Sequence, residues 1–198
     1  VTKKRKYTLY KTLCTFFSLS IMRAILPSFF IFLTTMAKIQ KTNAARLLDQ
    51  AKIAYELIPY EVDENDLSAP HVAESLGEDI AQVFKTLVLQ GDRSGYFVCV
   101  VPGDATVDLK LAAKVSGNKK VEMIAMKELL GVTGYIRGGC SPVGMKKKFP
   151  TFFDSSAAAL DKLTVSAGMK GAQLLVNSEE ILKYTGATLC DIAVEPAK

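Results

Sequence analysis

Two stretches hold residues whose types and spacing could do chemistry. One is Lys85 in FKTLVL; the other is the run Thr133 to Lys148, TGYIRGGCSPVGMKKK. In the run, Gly138 and Gly139 allow positive φ and leave main-chain N–H groups uncovered by any side chain. Ser141-Pro142 fixes the exit, because proline locks its own φ and pushes the residue before it towards an extended geometry. Lys146, Lys147 and Lys148 then place positive charge beside the amides. Such a loop suits an anionic or carbonyl-bearing ligand, with amides for an oxygen and lysines for phosphate. The same composition also makes an ordinary surface turn with solvated lysines, and the pattern alone leaves both readings open. Lys85 poses a similar choice. If Val83 to Gln90 is a strand, alternation puts Phe84, Thr86 and Val88 on one face and Lys85, Leu87 and Leu89 on the other. A lysine sharing a face with two leucines either snorkels at a strand end or stands in a partly apolar cleft, where desolvation lowers its pKa.

Other chemistries find little support. His71 is the only histidine, at a helix start after Pro70, so triads and histidine-based metal sites are hard to build. Cys14, Cys99, Cys140 and Cys190 lie far apart with no CxxC spacing. Cys99 in YFVCVV and Cys190 in ATLCDIA read as buried inert thiols. Nothing reads as a zinc site or a disulfide framework, which favours a reducing cytoplasm.

The elements that must position Lys85 and the loop begin at Thr42, which caps a helix running to Ile53. Glu56 to Val62 is expected as a strand with Tyr60 near its end, and Ser68 caps a short helix that Gly77 stops. Val83 to Gln90 pairs through the QGDRSG turn with Gly95 to Pro102, a central strand apolar on both faces. Asp108 caps a further helix, and another short one surrounds Met126 to Leu130. Beyond the glycine loop, Thr151 to Asp154, Leu163 to Ser166 and Ala172 to Asn177 read as strands. Ser178 is expected to cap the next helix, and Thr188 to Val194 forms a last strand. Strands and helices mix without clean βαβ alternation and without repeats, so one mixed α/β domain spans Met36 to Lys198.

Composition agrees with a single domain: 49% of the 198 residues are hydrophobic. The net charge of +5 misleads as a global figure, because residues 1–35 carry six basic residues and no acid. The remainder is slightly acidic, so a nucleic-acid partner would have to use a local patch and not a global field. Residues 1–35 run from KKRK into an apolar stretch interrupted by Arg23 and Pro27. They read as an upstream extension before a start at Met36, or else as a signal or anchoring segment.

With Lys85 in FKTLVL, the loop TGYIRGGCSPVGMKKK and the later VSAGMKG, the chain resembles the YbaK family of aminoacyl-tRNA deacylases. That domain also occurs inserted in bacterial prolyl-tRNA synthetases. The match covers nearly all of residues 36–198, and the opening KTNAARLLDQAKIAYELIPYE looks most like the stand-alone branch acting on cysteinyl-tRNA(Pro). The resemblance implies a curved mixed sheet, nearly a closed barrel, with helices around it. It places the family lysine on Lys85 with Thr86 beside it, and the oxyanion-binding glycine on Gly139, flanked by Gly138, Ser141 and Pro142. It places the serine and second glycine of the VSGG-like turn on Ser166 and Gly168, and the aromatic residue ending the first strand on Tyr60. Ala167 and Met169 depart from the SGGKRG of close relatives, and Gln173 stands where some members have aspartate.

The implied activity is hydrolysis of cysteine from mischarged tRNA(Pro), with no metal, no cofactor and no protein nucleophile. The cysteine's own thiol attacks its ester carbonyl, while Lys85 and the Gly139 amide supply electrostatics. Cys140 beside Gly139 is the rival nucleophile, but no paired histidine is evident. Cysteinyl-tRNA(Pro) is the expected partner, with prolyl-tRNA synthetase as a second, in the cytoplasm. The competing readings are an alanyl-tRNA(Pro) editing enzyme, a module that grips aminoacyl ends without hydrolysis, and a tethered regulator that depends on residues 1–35.

Overall fold

The computed structural model describes residues 41–195. The Thr42 hydroxyl accepts from the Ala45 N–H and starts α1 (Asn43–Gln50), which buries Ala44, Ala45 and Leu48. Strand β1 (Tyr55–Pro59) follows. Ser68 caps α2 (Ala69–Leu76), and Gly77 ends it in the left-handed region at φ 65°. A single 3₁₀ turn (Ile80–Gln82) then feeds β2 (Phe84–Gly91), which folds back on β3 (Gly95–Pro102).

Strand β3 is the centre of the core. Phe97, Val98, Cys99, Val100 and Val101 are each at most 1% exposed, as expected of a strand covered on both faces. Its partners on either side are β2, antiparallel, and β6 (Thr151–Asp154), parallel. A parallel neighbour requires a long crossover. That crossover carries β4 (Thr106–Val107), α3 (Leu109–Val115), β5 (Val121–Met123), α4 (Met126–Thr133) and the glycine loop. The loop is thus the last leg back to the sheet. Asp108 caps α3 by accepting from Lys110 and Leu111 N–H groups, as its position implies.

The rest of the chain adds β7 (Lys162–Ser166), β8 (Ala172–Asn177), α5 (Ser178–Thr185), β9 (Thr188–Cys190) and β10 (Ala193–Val194). The five-stranded sheet runs β5-β2-β3-β6-β9, a three-stranded sheet runs β1-β8-β7, and β10 pairs with β4. Alternation on β2 sorts its residues between two clusters. Leu87 and Leu89 pack with Phe97, Cys99 and Phe152, while Val88 packs with Ile124 and Leu129. Phe97 and Phe152 meet edge to face at 5.8 Å, a favoured aromatic geometry.

Several expectations are corrected. The mixed α/β class stands, but no sheet is closed, so the nearly barrel-like sheet is replaced by separate sheets. The two larger ones touch through an isolated bridge, Val83 to Thr164. The first strand ends at Pro59, which leaves Tyr60 outside it. The last strand is split, because the Asp154 carboxylate accepts the N–H groups of Ile192 and Ala193 at 3.1 and 2.8 Å. Helix α5 is capped by Asn177, whose side chain accepts from Glu180 N–H, and not by Ser178.

Candidate functional site

A cleft of about 610 Å³ opens between the start of β2, the turn after β3, the start of α2 and the glycine loop. Of the residues that the resemblance places in the site, Lys85, Thr86, Gly138 and Ser166 line it, and so does the rival nucleophile Cys140. Lys85 stands at the first turn of β2, paired in register with Val101, and its Nζ donates to the Gly103 carbonyl at 3.0 Å. The residue is partly buried, and its ammonium is held by that carbonyl. Desolvation holds its pKa below the ordinary lysine value, and the charge of Asp104 offsets part of that effect. One hydrogen bond leaves two of its donors uncommitted among the described residues.

The glycine loop and the VSAGMKG turn between β7 and β8 pack backbone on backbone. Gly138 takes φ +79°. A Cβ on Gly139 would lie 3.1 Å from the main chain of Met169, so this close approach needs a glycine. Gly168, at φ +89°, lies under the ring of Tyr135 in the same way. Tyr135 is 8% exposed and donates its hydroxyl to the Val143 carbonyl at 2.6 Å, which ties the two ends of the loop together. Ser141 is fully buried and its Oγ accepts from Val143 N–H, while Ser166 Oγ accepts from Gly168 N–H. Ser141 and Gly168 thus shape the loops that frame the cleft.

Gly139, Ser141, Pro142, Gly168 and Tyr60 do not line the cleft. The Gly139 N–H donates to the Ile136 carbonyl at 3.0 Å, inside the turn. The Gly138 and Cys140 N–H groups have no hydrogen-bond acceptor among the described residues, and both residues line the cleft. Tyr60 spends its N–H on the Gly171 carbonyl, which braces the VSAGMKG turn from behind. Lys146, which the sequence leaves between a phosphate contact and a solvated turn, instead donates to the Leu130 and Gly131 carbonyls. A lysine there satisfies the free carbonyls at the end of α4.

Cys140 lines the cleft as an inert thiol. Burial pushes its pKa up to about 12, so almost none is thiolate near neutral pH. Cys140→Ala is therefore expected to keep the deacylation that the resemblance implies within about threefold of wild type, since a thiol held protonated is a poor nucleophile. An acyl group trapped on Cys140 would contradict this. His71 does not line the cleft; its N–H serves the Ser68 cap of α2. Among the described residues no group of three or more His, Cys, Asp or Glu could hold a metal ion. No helix among them is long and apolar enough to cross a membrane.

Three lining residues escaped the sequence reading as positive signals: Asp104, Arg137 and Gln173. Thr86 Oγ1 and Gln173 Oε1 are buried without a hydrogen-bond partner among the described residues. Buried polar atoms are normally satisfied, and both of these belong to residues that line the cleft.

Residues 63–184 match the family model described as the aminoacyl-tRNA editing domain. A protein of Enterococcus faecalis, named "Putative Cys-tRNA(Pro)/Cys-tRNA(Cys) deacylase EbsC", is 47% identical over 156 residues, covering 79% of this chain and 95% of its own. A proline–tRNA ligase of Thermosipho africanus is 31% identical over 83 residues, which are 42% of this chain and 15% of the ligase. The solved structure of "hypothetical protein APE2540" has a TM-score of 0.69 at 21% identity and covers 75% of this chain and 97% of that one. That likeness shows the fold alone.

Proposed function

The chain belongs to the aminoacyl-tRNA editing domain family, and from that premise we propose that it hydrolyses the ester of cysteine mischarged on tRNA(Pro), acting in trans in the cytoplasm. The observation that carries this reading is the cleft itself. It brings Lys85, a partly desolvated ammonium, together with Gly138 and Cys140, whose N–H groups have no acceptor among the described residues. The 47% identity to a protein named for Cys-tRNA deacylation supports the choice of cysteine.

In the proposed reaction the cysteine thiol attacks its own ester carbonyl and gives up its proton to solvent. The carbonyl electron pair moves onto oxygen, which becomes the oxyanion. Collapse of that intermediate breaks the bond to the terminal ribose oxygen, which leaves with a proton as tRNA hydroxyl. The remaining thiolactone takes up water to give free cysteine. Lys85 and the N–H groups of the Gly138–Cys140 turn stabilise the oxyanion, each worth more in a cleft than in bulk water. The Gly139 N–H could join them only by sharing or leaving its bond to Ile136. Ser141, Pro142, Ser166, Gly168 and Tyr60 contribute by holding the two loops in register, with Thr86 offering an acceptor to the substrate. The proposed domain runs from Met36 to Lys198, with residues 1–35 as an extension outside it.

A module that only grips aminoacyl ends would use the same cleft without turnover. Incubating the chain with a hundredfold excess of Cys-tRNA(Pro), with and without prolyl-tRNA synthetase, separates the two. Loss of all the ester is the expected result, faster when the synthetase concentrates a tRNA that a weakly charged domain attracts poorly. Stoichiometric protection of the ester would establish the binding module instead.

A further inference from the structure

We propose that Asp104 receives the α-ammonium group of the bound aminoacyl ester, and so selects substrates with a free amino group. The inference rests on the reading of the cleft as the aminoacyl site. Asp104 is the single carboxylate among the described residues that line the cleft. No salt bridge joins it to another described residue, and none joins Lys85. The cleft thus holds two cationic residues, Lys85 and Arg137, and a carboxylate whose charge acts on Lys85 without a salt bridge to any described residue.

The placement of Asp104 is fixed by the turn it sits on. Gly103 N–H donates to the Val83 carbonyl at 2.7 Å, and the Gly103 carbonyl accepts from Lys85. A Cβ on Gly103 would lie 2.7 Å from the Ala69 methyl and 3.1 Å from the Val83 carbonyl oxygen. The turn is therefore wedged between α2 and the start of β2. Its next residue is held at the same end of the cleft as the lysine.

An aminoacyl ester presents a carbonyl and, one carbon away, an amino group that is partly protonated near neutral pH and that a neighbouring carboxylate would hold in its charged form. A cation and an anion side by side match that pair: the ammonium of Lys85 toward the ester oxygen, the carboxylate toward the amine. Thr86 Oγ1 and Gln173 Oε1 also offer acceptor atoms, but both are neutral and buried. A full charge placed on them would lose its water without gaining a counter-charge. Asp104 is exposed, so the ammonium stays partly hydrated while it pairs. An amide in place of the amine carries no charge. The site should therefore discriminate against N-acylated aminoacyl ends.

The test uses two nucleosides that the chain cannot hydrolyse: the cysteinyl amide of 3′-amino-3′-deoxyadenosine and its 3-mercaptopropionyl counterpart, which lacks only the amino group. Calorimetric titration compares wild type with Asp104→Asn. The cysteinyl compound should bind the variant about tenfold more weakly, the loss of one charge-assisted contact, while the mercaptopropionyl compound binds both within about twofold. Equal losses for both compounds would mean that Asp104 acts only on Lys85 or on the turn, and would overturn the proposal. So would unchanged binding of the cysteinyl compound to Asp104→Asn. If neither compound binds wild type, the cleft is not the aminoacyl site and the role of Asp104 falls with it.

Discussion

Replacing Lys85 with alanine is expected to slow deacylation of Cys-tRNA(Pro) by about a hundred- to a thousandfold, the range found when one oxyanion donor is removed. The fold should survive. Lys85 is only partly buried and its side chain makes one hydrogen bond, to Gly103, while the β2–β3 pairing uses the main chain. Arginine should fail as well. A planar fork would have to fit where a compact ammonium now meets the Gly103 carbonyl in a partly desolvated cleft. The same desolvation gives a pH signature. Because the pKa of Lys85 lies below the ordinary lysine value, its ammonium is lost at lower pH than a surface lysine. The enzyme-dependent rate should therefore fall on the alkaline side before ordinary lysines titrate, after correction for spontaneous ester hydrolysis. Near-wild-type turnover by Lys85→Ala, with an unchanged unfolding midpoint, would remove Lys85 from the mechanism.

Changing the substrate should have an effect of similar size. With serine in place of cysteine on the same tRNA(Pro), turnover is expected to fall by about a hundredfold or more. A hydroxyl lacks the accessible anion and the nucleophilicity of a thiol. Neither of the two residues raised from the sequence as nucleophile or base is well placed for that role. The Cys140 thiol is held near pKa 12 by burial, and His71 lies outside the cleft lining. Equal single-turnover rates for seryl and cysteinyl esters would show that water, and not the thiol, attacks the carbonyl.

Much of the fold was legible because it is locally encoded. Thr42, Ser68 and Asp108 cap helices through their own side chains, and Gly77 ends one with a positive φ that only the nearby backbone dictates. Strand β3 could be read from an unbroken apolar run. Strands β4 and β5 could not, since they are two and three residues long and exist only through partners distant in sequence. Closure into a barrel is likewise global, and a single bridge is what joins the larger sheets.

The candidate site divides along the same line. Alternation on one strand leaves Lys85 between a snorkelling strand end and a cleft and puts Thr86 on the opposite face, so only the family resemblance joins the two. The need for glycine at 139 arises from the main chain of Met169, thirty residues on, and no local pattern distinguishes that packing from an exposed amide. Lys146 looked free in sequence because the helix end it serves is not visible there. Asp104 lay in a plain Pro-Gly-Asp turn. Only the hairpin register, with Lys85 opposite Val101, brings that turn to the lysine.

The most direct test of the account is the initial rate at which the purified chain alone clears the ester from Cys-, Ala- and Pro-tRNA(Pro) under identical conditions. The account predicts catalytic turnover of the cysteinyl ester, with the alanyl and prolyl esters at least about a hundredfold slower because neither carries a thiol. Equal rates on all three, a preference for the alanyl ester, or no turnover of the cysteinyl ester would contradict it.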